Sequence, residues 1–202
     1  MLLRLRFPWL AAELLCLSVA AAAQEPPLLA PNRDVTVTYA VTRSAADNVA
    51  HKLRLIYVTR GPAIRVDSFV FPDGRTPFNT VLFDGARAKR IIIVYQLQGY
   101  FEEDLASPDM PELIPDAAMH FTRGAPRTIA GLSCTDWQAT SDRFENVTYC
   151  LTDDGIVLAS DTKTRTLQAT DVVPGVPADA PIAVPSDLRR LQARKPAAPN
   201  PE

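Results

Sequence analysis

Cysteine is scarce in this chain, with three in 202 residues: Cys16, Cys134 and Cys150. No Cys-x-x-Cys spacing occurs, so the usual redox-active arrangement is missing. No histidine lies near Cys134 or Cys150, which argues against a metal-binding pair. Histidine is scarcer still. His51 adjoins Lys52 at the start of an apolar run and reads as solvated. His120 sits between Met119 and Phe121 and reads as a packed or surface residue, not a base. There is no glycine-rich phosphate loop and no basic-aromatic patch. A formal net charge of -2 is too small to point to nucleic acid or an anionic membrane surface as partner. No internal repeat and no second domain are visible, and nothing in the chain calls for a cofactor or a metal.

What is present begins with a targeting segment. Arg4 and Arg6 precede an apolar stretch that ends in Ala21-Ala22-Ala23. Residues 1–23 read as a secretory signal peptide with an Ala-x-Ala cleavage site. The alternatives are an uncleaved anchor, against which Glu13 interrupts the apolar run, and a lipoprotein acylated at Cys16, which lacks the small residue expected before it. Cleavage leaves 19 basic against 22 acidic residues, a net charge of -3. No later apolar run reaches the roughly 20 residues that span a bilayer. The expectation is a periplasmic protein with no transmembrane segment after cleavage.

Residues 24–32 form a proline-rich lead-in. Period-two alternation then starts: Val35, Val37, Tyr39 and Val41 alternate with threonines. Further strands are expected over 51–60, 64–71 and 80–83. The Pro72-Asp73-Gly74 and Asp84-Gly85 sequences are turn signals. The run Ile91 to Leu97 is apolar on both faces and predicts a central strand covered on both sides. Residues 104–121 are rich in helix formers but cut by Pro108, Pro111 and Pro115. They predict short helices at Pro111–Leu113 and Asp116–Phe121, lying over the concave face. Two strands of a hairpin, a strand at 156–158 and a last strand at 165–173 complete a domain over 33–174. Residues 175–202 are a proline-rich segment expected to be disordered at its end. The fold class expected is α+β, mainly antiparallel: an open half-barrel of about eight or nine strands with a short helical insertion.

An even pair of cysteines in an exported chain points to a disulfide between Cys134 and Cys150. If Ser141-Asp142-Arg143 is the hairpin loop, Thr140 faces Phe144, and six residues outward Cys134 faces Cys150. Directly opposed Cβ atoms lie about 4.5–5.5 Å apart, close to disulfide geometry. Asp153-Asp154 is a carboxylate pair by composition, but two aspartates before Gly155 read as turn formers. Asn146-Val147-Thr148 is a formal glycosylation sequon, meaningful only in a eukaryotic secretory host. No catalytic residue is assigned. The candidate lining of an apolar cavity is Val37, Tyr39, Leu53, Leu55, Tyr57, Ile91, Ile93, Tyr95 and Trp137, with an ordinary closed core as the competing reading.

The segment IAGLSCTDW followed by YCLTDDGIVL resembles a pattern of uncharacterised exported bacterial families similar to the LolA/LppX lipoprotein-carrier superfamily. Tyr39, Arg65-Val66-Asp67, Phe83-Asp84-Gly85 and Tyr100 support the resemblance, which covers residues 33–192. Ala183-Val184-Pro185-Ser186 resembles the closing segment of such proteins, with Ala183 in place of an aromatic residue. The chain departs from the carriers in having no amphipathic helix after the signal. The resemblance implies a half-open barrel whose concavity takes a hydrophobic or acyl ligand or a lipoprotein. Binding of another envelope protein is the alternative, and hydrolytic chemistry at Asp153, Asp154 or His120 is the third.

Overall fold

A computed structural model describes residues 25–44, 50–61, 63–105, 113–141 and 146–192. The strands are β1 (Val35–Ser44), β2 (Lys52–Val58), β3 (Ala63–Phe69), β4 (Asn79–Asp84), β5 (Lys89–Val94), β6 (Gly99–Asp104), β7 (His120–Ile129), β8 (Leu132–Thr140), β9 (Val147–Leu151), β10 (Val157–Asp161), β11 (Arg165–Pro174) and β12 (Arg189–Arg190). They form a single sheet in the order β12-β6-β5-β4-β3-β2-β1-β11-β10-β9-β8-β7. All neighbours are antiparallel except β12 and β6.

The order follows from two meanders, β1 to β6 and β7 to β11, joined where β11 pairs with β1. The β6–β7 connection must therefore run from one end of the sheet to the other. Flat, the ten strand steps between β6 and β7 would span about 48 Å at 4.8 Å each. The fifteen residues available, 105–119, reach at most about 50 Å fully extended, and they contain a turn closed by Met119 N–H donating to Asp116 O. The sheet therefore has to curl. β7 comes back against β11, and Leu113, Ile114 and Met119 of the connection are buried in the same cluster as Val37, Tyr39, Leu55 and Trp137.

The structure changes several expectations. Among the described residues the helical insertion is not seen: Asp116–Met119 is a turn, and His120 and Phe121 open β7. Pro111 and Glu112 lie outside the described residues, as do the signal segment, the Asp142-Arg143-Phe144 part of the expected hairpin loop and residues 193–202. Among the described residues the sheet has twelve strands, where the sequence suggests eight or nine. β7 escaped because it is exposed along most of its length and carries Gly124 and Pro126, so it has no apolar alternation. A bulge between Arg123 and Pro126 accommodates the proline at a sheet edge, and such a bulge also blunts an edge against unwanted pairing. β6 escaped because it is acidic. Its charges are matched across the ladder, Glu103 with Arg90 at 2.6 Å and Asp104 with Lys89. The Ala130-Gly131 turn joins β7 to β8 with both residues at positive φ. Glycine takes that conformation freely, whereas alanine does so at some cost.

The Cys134–Cys150 disulfide is formed, with Cα atoms 5.4 Å apart, but the expected register is off by two residues. Asp136 stands opposite Cys150, and the ladder ends at Thr135 and Leu151. The bridge is diagonal. It is accommodated where Thr152 turns out of the ladder, its N–H donating to Ile156 O.

β5 is the third strand from one end, not central. Ile91 and Ile93 are buried on the outer face with Leu82, beneath Val184 and Leu188 of the C-terminal segment. Residues 175–192 of that segment pack along the sheet. The segment is held by Arg65 Nη1 donating to Pro181 O at 2.7 Å, and by β12 alongside β6 with Leu191 N–H on Tyr100 O. At Gly99 a Cβ would lie 2.7 Å from Leu191 Cγ and 2.8 Å from Arg189 O, so only glycine lets the two strands approach. Gly99→Ala is expected to lower stability by about 1–3 kcal/mol and to expose the C-terminal segment to protease. Limited proteolysis read by mass spectrometry checks this, and an unchanged cleavage rate after residue 175 would contradict it.

Candidate functional site

The inner face is built by residue parity. Pairing carries one face from Val37 and Tyr39 of β1 to Leu55 and Leu53 of β2, then Val66, Val81, Ile92 and Phe101 on β3 to β6. Trp137 and Tyr149 face each other across β8 and β9 and join the same cluster. Of the candidate cavity residues, Val37, Tyr39, Leu53, Leu55, Tyr57 and Trp137 are brought together here. Ile91, Ile93 and Tyr95 are not: they lie on the outer face. A one-residue offset in a strand moves a side chain to the opposite face, so the inner residue of β5 is Ile92.

The inner face is not uniform. Over β1 to β3 and β8 to β11 it is a packed core closed by Leu113, Ile114 and Met119. Tyr39 lies wholly within it, its hydroxyl donating to Val157 O at 2.7 Å. Burial pushes the Tyr39 phenol far up from its ordinary value and keeps it neutral. Toward β4–β6 the cover thins. Val81, Ile92 and Phe101 stand side by side on three adjacent strands and are only half-buried, as are Phe78 and Leu105 beside them. This row is the less covered apolar part of the concavity. Sequence reasoning missed it because its parity has to be counted through every turn from β2 to β6.

The Asp153-Asp154-Gly155 segment is a turn, as its composition suggests. Asp154 is held by Arg33 Nε at 2.7 Å and by the Thr152 hydroxyl at 2.6 Å. Partial burial opposes its ionisation, but these two hydrogen bonds outweigh it and keep the carboxyl below the usual range. Gly155 has φ +83°, and a Cβ there would lie 2.2 Å from Ala30 O. The turn thus seats the lead-in segment. A cleft of about 310 Å³ remains between Pro26, Pro27 and Leu28 of that segment and Arg123 and Trp137. Trp137 is therefore both core and cleft wall, with the Arg123 guanidinium 5.8 Å from its ring centroid.

His51 and His120 are exposed at the starts of two strands. No group of three or more His, Cys, Asp or Glu among the described residues is placed to hold a metal ion. Among the same residues no helix is long and apolar enough to cross a membrane.

No family model matches the chain, and no curated protein matches it. Solved structures do. An uncharacterized conserved protein from Thermus thermophilus aligns with a TM-score of 0.53 at 10% identity, over 79% of this chain and 90% of that one. The MucA/MucB complex of Pseudomonas aeruginosa aligns at 0.49 and 13% identity, over 81% of this chain and 59% of that chain. PNGF-II aligns at 0.45 and 10% identity, over 73% and 29%. The chain thus spans less than two thirds of the length of the last two. The likeness to the Thermus thermophilus protein shows that this chain shares its fold, a curled, open and almost wholly antiparallel sheet.

Proposed function

We propose that the chain is an exported, LolA-like binding module of the periplasm, without enzymatic activity, that takes an apolar ligand such as an acyl chain or a lipoprotein on the inner face over β4–β6. The observation that carries this reading is the half-buried row Val81, Ile92 and Phe101 on the concave side of an open sheet. The signal-like N-terminus, the Cys134–Cys150 disulfide suited to an oxidising compartment and the motif resemblance of the β8–β9 hairpin support it. Ile92→Arg places a charge in the row, and an unpaired charge is costly to bury. It is expected to weaken binding of a fluorescent acyl probe at least tenfold, about 1.4 kcal/mol, in an equilibrium titration. Native mass spectrometry of protein purified from its own host is expected to find lipid bound. No co-purifying lipid together with no probe binding by the unaltered protein would sink the reading.

A second reading, an accessory protein that binds another envelope protein, is favoured by the exposed edge strand β7. Strand addition at a sheet edge is a common mode of peptide recognition. A photo-crosslinker at Thr128, introduced in cells, separates the two: protein adducts favour the edge, and their absence favours the concavity.

A further inference from the structure

The inner row Val81, Ile92 and Phe101 has a polar neighbour on each side, placed there by register. Two residues along each strand in one direction stand Phe83, Arg90 and Glu103, and in the other direction Asn79, Val94 and Gly99. On the first flank Arg90 donates to Glu103 Oε2 through Nε at 3.1 Å and Nη2 at 2.6 Å. These charges answer each other and do not call for a charged ligand. On the second flank the polar group is Asn79, paired with Ser68 of β3 and Val94 of β5. Asn79 has the parity of Phe83 and Val81, which join the inner cluster, whereas Thr80 and Leu82 between them serve the outer face. Its Oδ1 is buried and accepts no hydrogen bond among the described residues. Val94 has no polar side chain to offer, and the Ser68 hydroxyl does not bond it. An unpaired acceptor therefore lies on the concave side, immediately beside the less covered apolar row.

We propose that Asn79 is the specificity-determining residue of this concavity, and that it selects a ligand with a neutral N–H donor: an acyl amide over an acyl ester or a free acid. The inference rests on the acyl-binding reading above and adds the polar group that the ligand must carry. A buried acceptor without a partner destabilises the protein that holds it. Apolar sites use a few placed polar groups of this kind to fix orientation and specificity. With the acyl chain on Val81, Ile92 and Phe101, the amide N–H donates to Asn79 Oδ1 and completes its bonding. An ester presents acceptors only, so it shuts Oδ1 away from water and leaves it unpaired. A carboxylate sets an anion against that oxygen, and Arg90, the inner-facing cation of β4–β6, is already held by Glu103. A site built to bond a donor rejects the analogue that lacks one. Nothing in the sequence marks Asn79, because its face follows only from register.

The test is displacement of the fluorescent acyl probe from purified protein by three competitors of one chain length: N-methyldodecanamide, methyl dodecanoate and dodecanoate. The amide is expected to bind at least about tenfold tighter than either of the others. Asn79→Leu keeps the size of the side chain and removes the acceptor, so it is expected to bring amide and ester within about twofold of each other, chiefly by tightening the ester. Urea unfolding shows whether this variant is folded, and its midpoint is expected to be no lower than that of the unaltered protein, because an unpaired buried acceptor has been removed. If the variant fails to fold, the three competitors on the unaltered protein still decide. Equal displacement by all three, or tightest binding of the carboxylate, would overturn the inference while leaving the acyl-binding reading in place. So would a preference for the amide that persists undiminished in folded Asn79→Leu. Failure of the probe to bind the unaltered protein would strike the acyl-binding reading itself, and the role of Asn79 would fall with it.

Discussion

Replacing Asp67 by alanine is expected to lower the unfolding free energy by about 3–5 kcal/mol. The Asp67 carboxylate is fully buried on the outer face. It accepts hydrogen bonds from Arg65 Nε at 2.8 Å, Arg54 Nε at 2.9 Å and the Thr80 hydroxyl at 2.6 Å. The Thr80 proton is committed to Asp67, so the Tyr95 hydroxyl, 3.1 Å from Thr80 Oγ1, donates back and completes the set. Without the carboxylate, the Arg65 guanidinium, whose side chain is 5% exposed, remains buried beside Arg54 with no anion between them. The cost lies in that uncompensated charge more than in any lost bond. Because Arg65 also holds Pro181 O, the C-terminal segment should loosen in the same variant. Urea unfolding measures the first effect and protease sensitivity beyond Pro174 the second. A midpoint within experimental error of the unaltered protein would show that the charge cluster does not stabilise the sheet.

Removal of the disulfide by Cys134→Ala with Cys150→Ala is expected to cost about 3 kcal/mol, because a bridge across 16 residues of sequence restricts the unfolded chain. For a domain of this size that corresponds to a fall in the thermal midpoint of about 6–12 °C. Both sulfurs are buried, so alanine also leaves a small packing defect that adds to the loss. Calorimetry of the unaltered protein with and without a thiol reductant provides the control, since reduction removes the bridge and leaves the side chains. If the reduced protein melted at the same temperature as the oxidised one, the bridge would be neutral and the variant's loss would be a packing effect. The diagonal position at the end of the β8–β9 ladder means that its loss should also free the Thr152–Ile156 turn, and with it the seat of the lead-in segment.

The parts of the fold that were legible in the sequence are those with a local signature. Val35 to Val41 alternate with threonine, and they form β1. Asp153-Asp154-Gly155 reads as a turn, and it is one. Cys134 and Cys150 read as a pair, and they are bonded. The misreadings share one cause, the absence of a local signature for a long-range arrangement. β7 and β6 have no apolar alternation because they lie at or near the sheet edges, where a strand buries little and is defined by its partner. The prolines and helix formers of 104–121 suggested helices, but a connection that must cross the whole sheet in fifteen residues has little length to spend on helical turns. Ile91 and Ile93 were preferred over Ile92 because all three are isoleucine, and composition carries no parity. The Cys134–Cys150 register was derived from an assumed loop length, and a two-residue error there moves the partner without changing its face.

The sequence alone therefore determined that the chain is antiparallel β, that two cysteines pair, and where most turns fall, because each depends on residues near one another along the chain. The tertiary structure decided which face each strand presents, how the two meanders join at β1 and β11, and how the C-terminal segment covers Ile91 and Ile93. It also assembled the inner row Val81, Ile92 and Phe101 and set Asn79 beside it. These depend on register carried through successive turns and on segments far apart in the chain, and no local pattern encodes that sum.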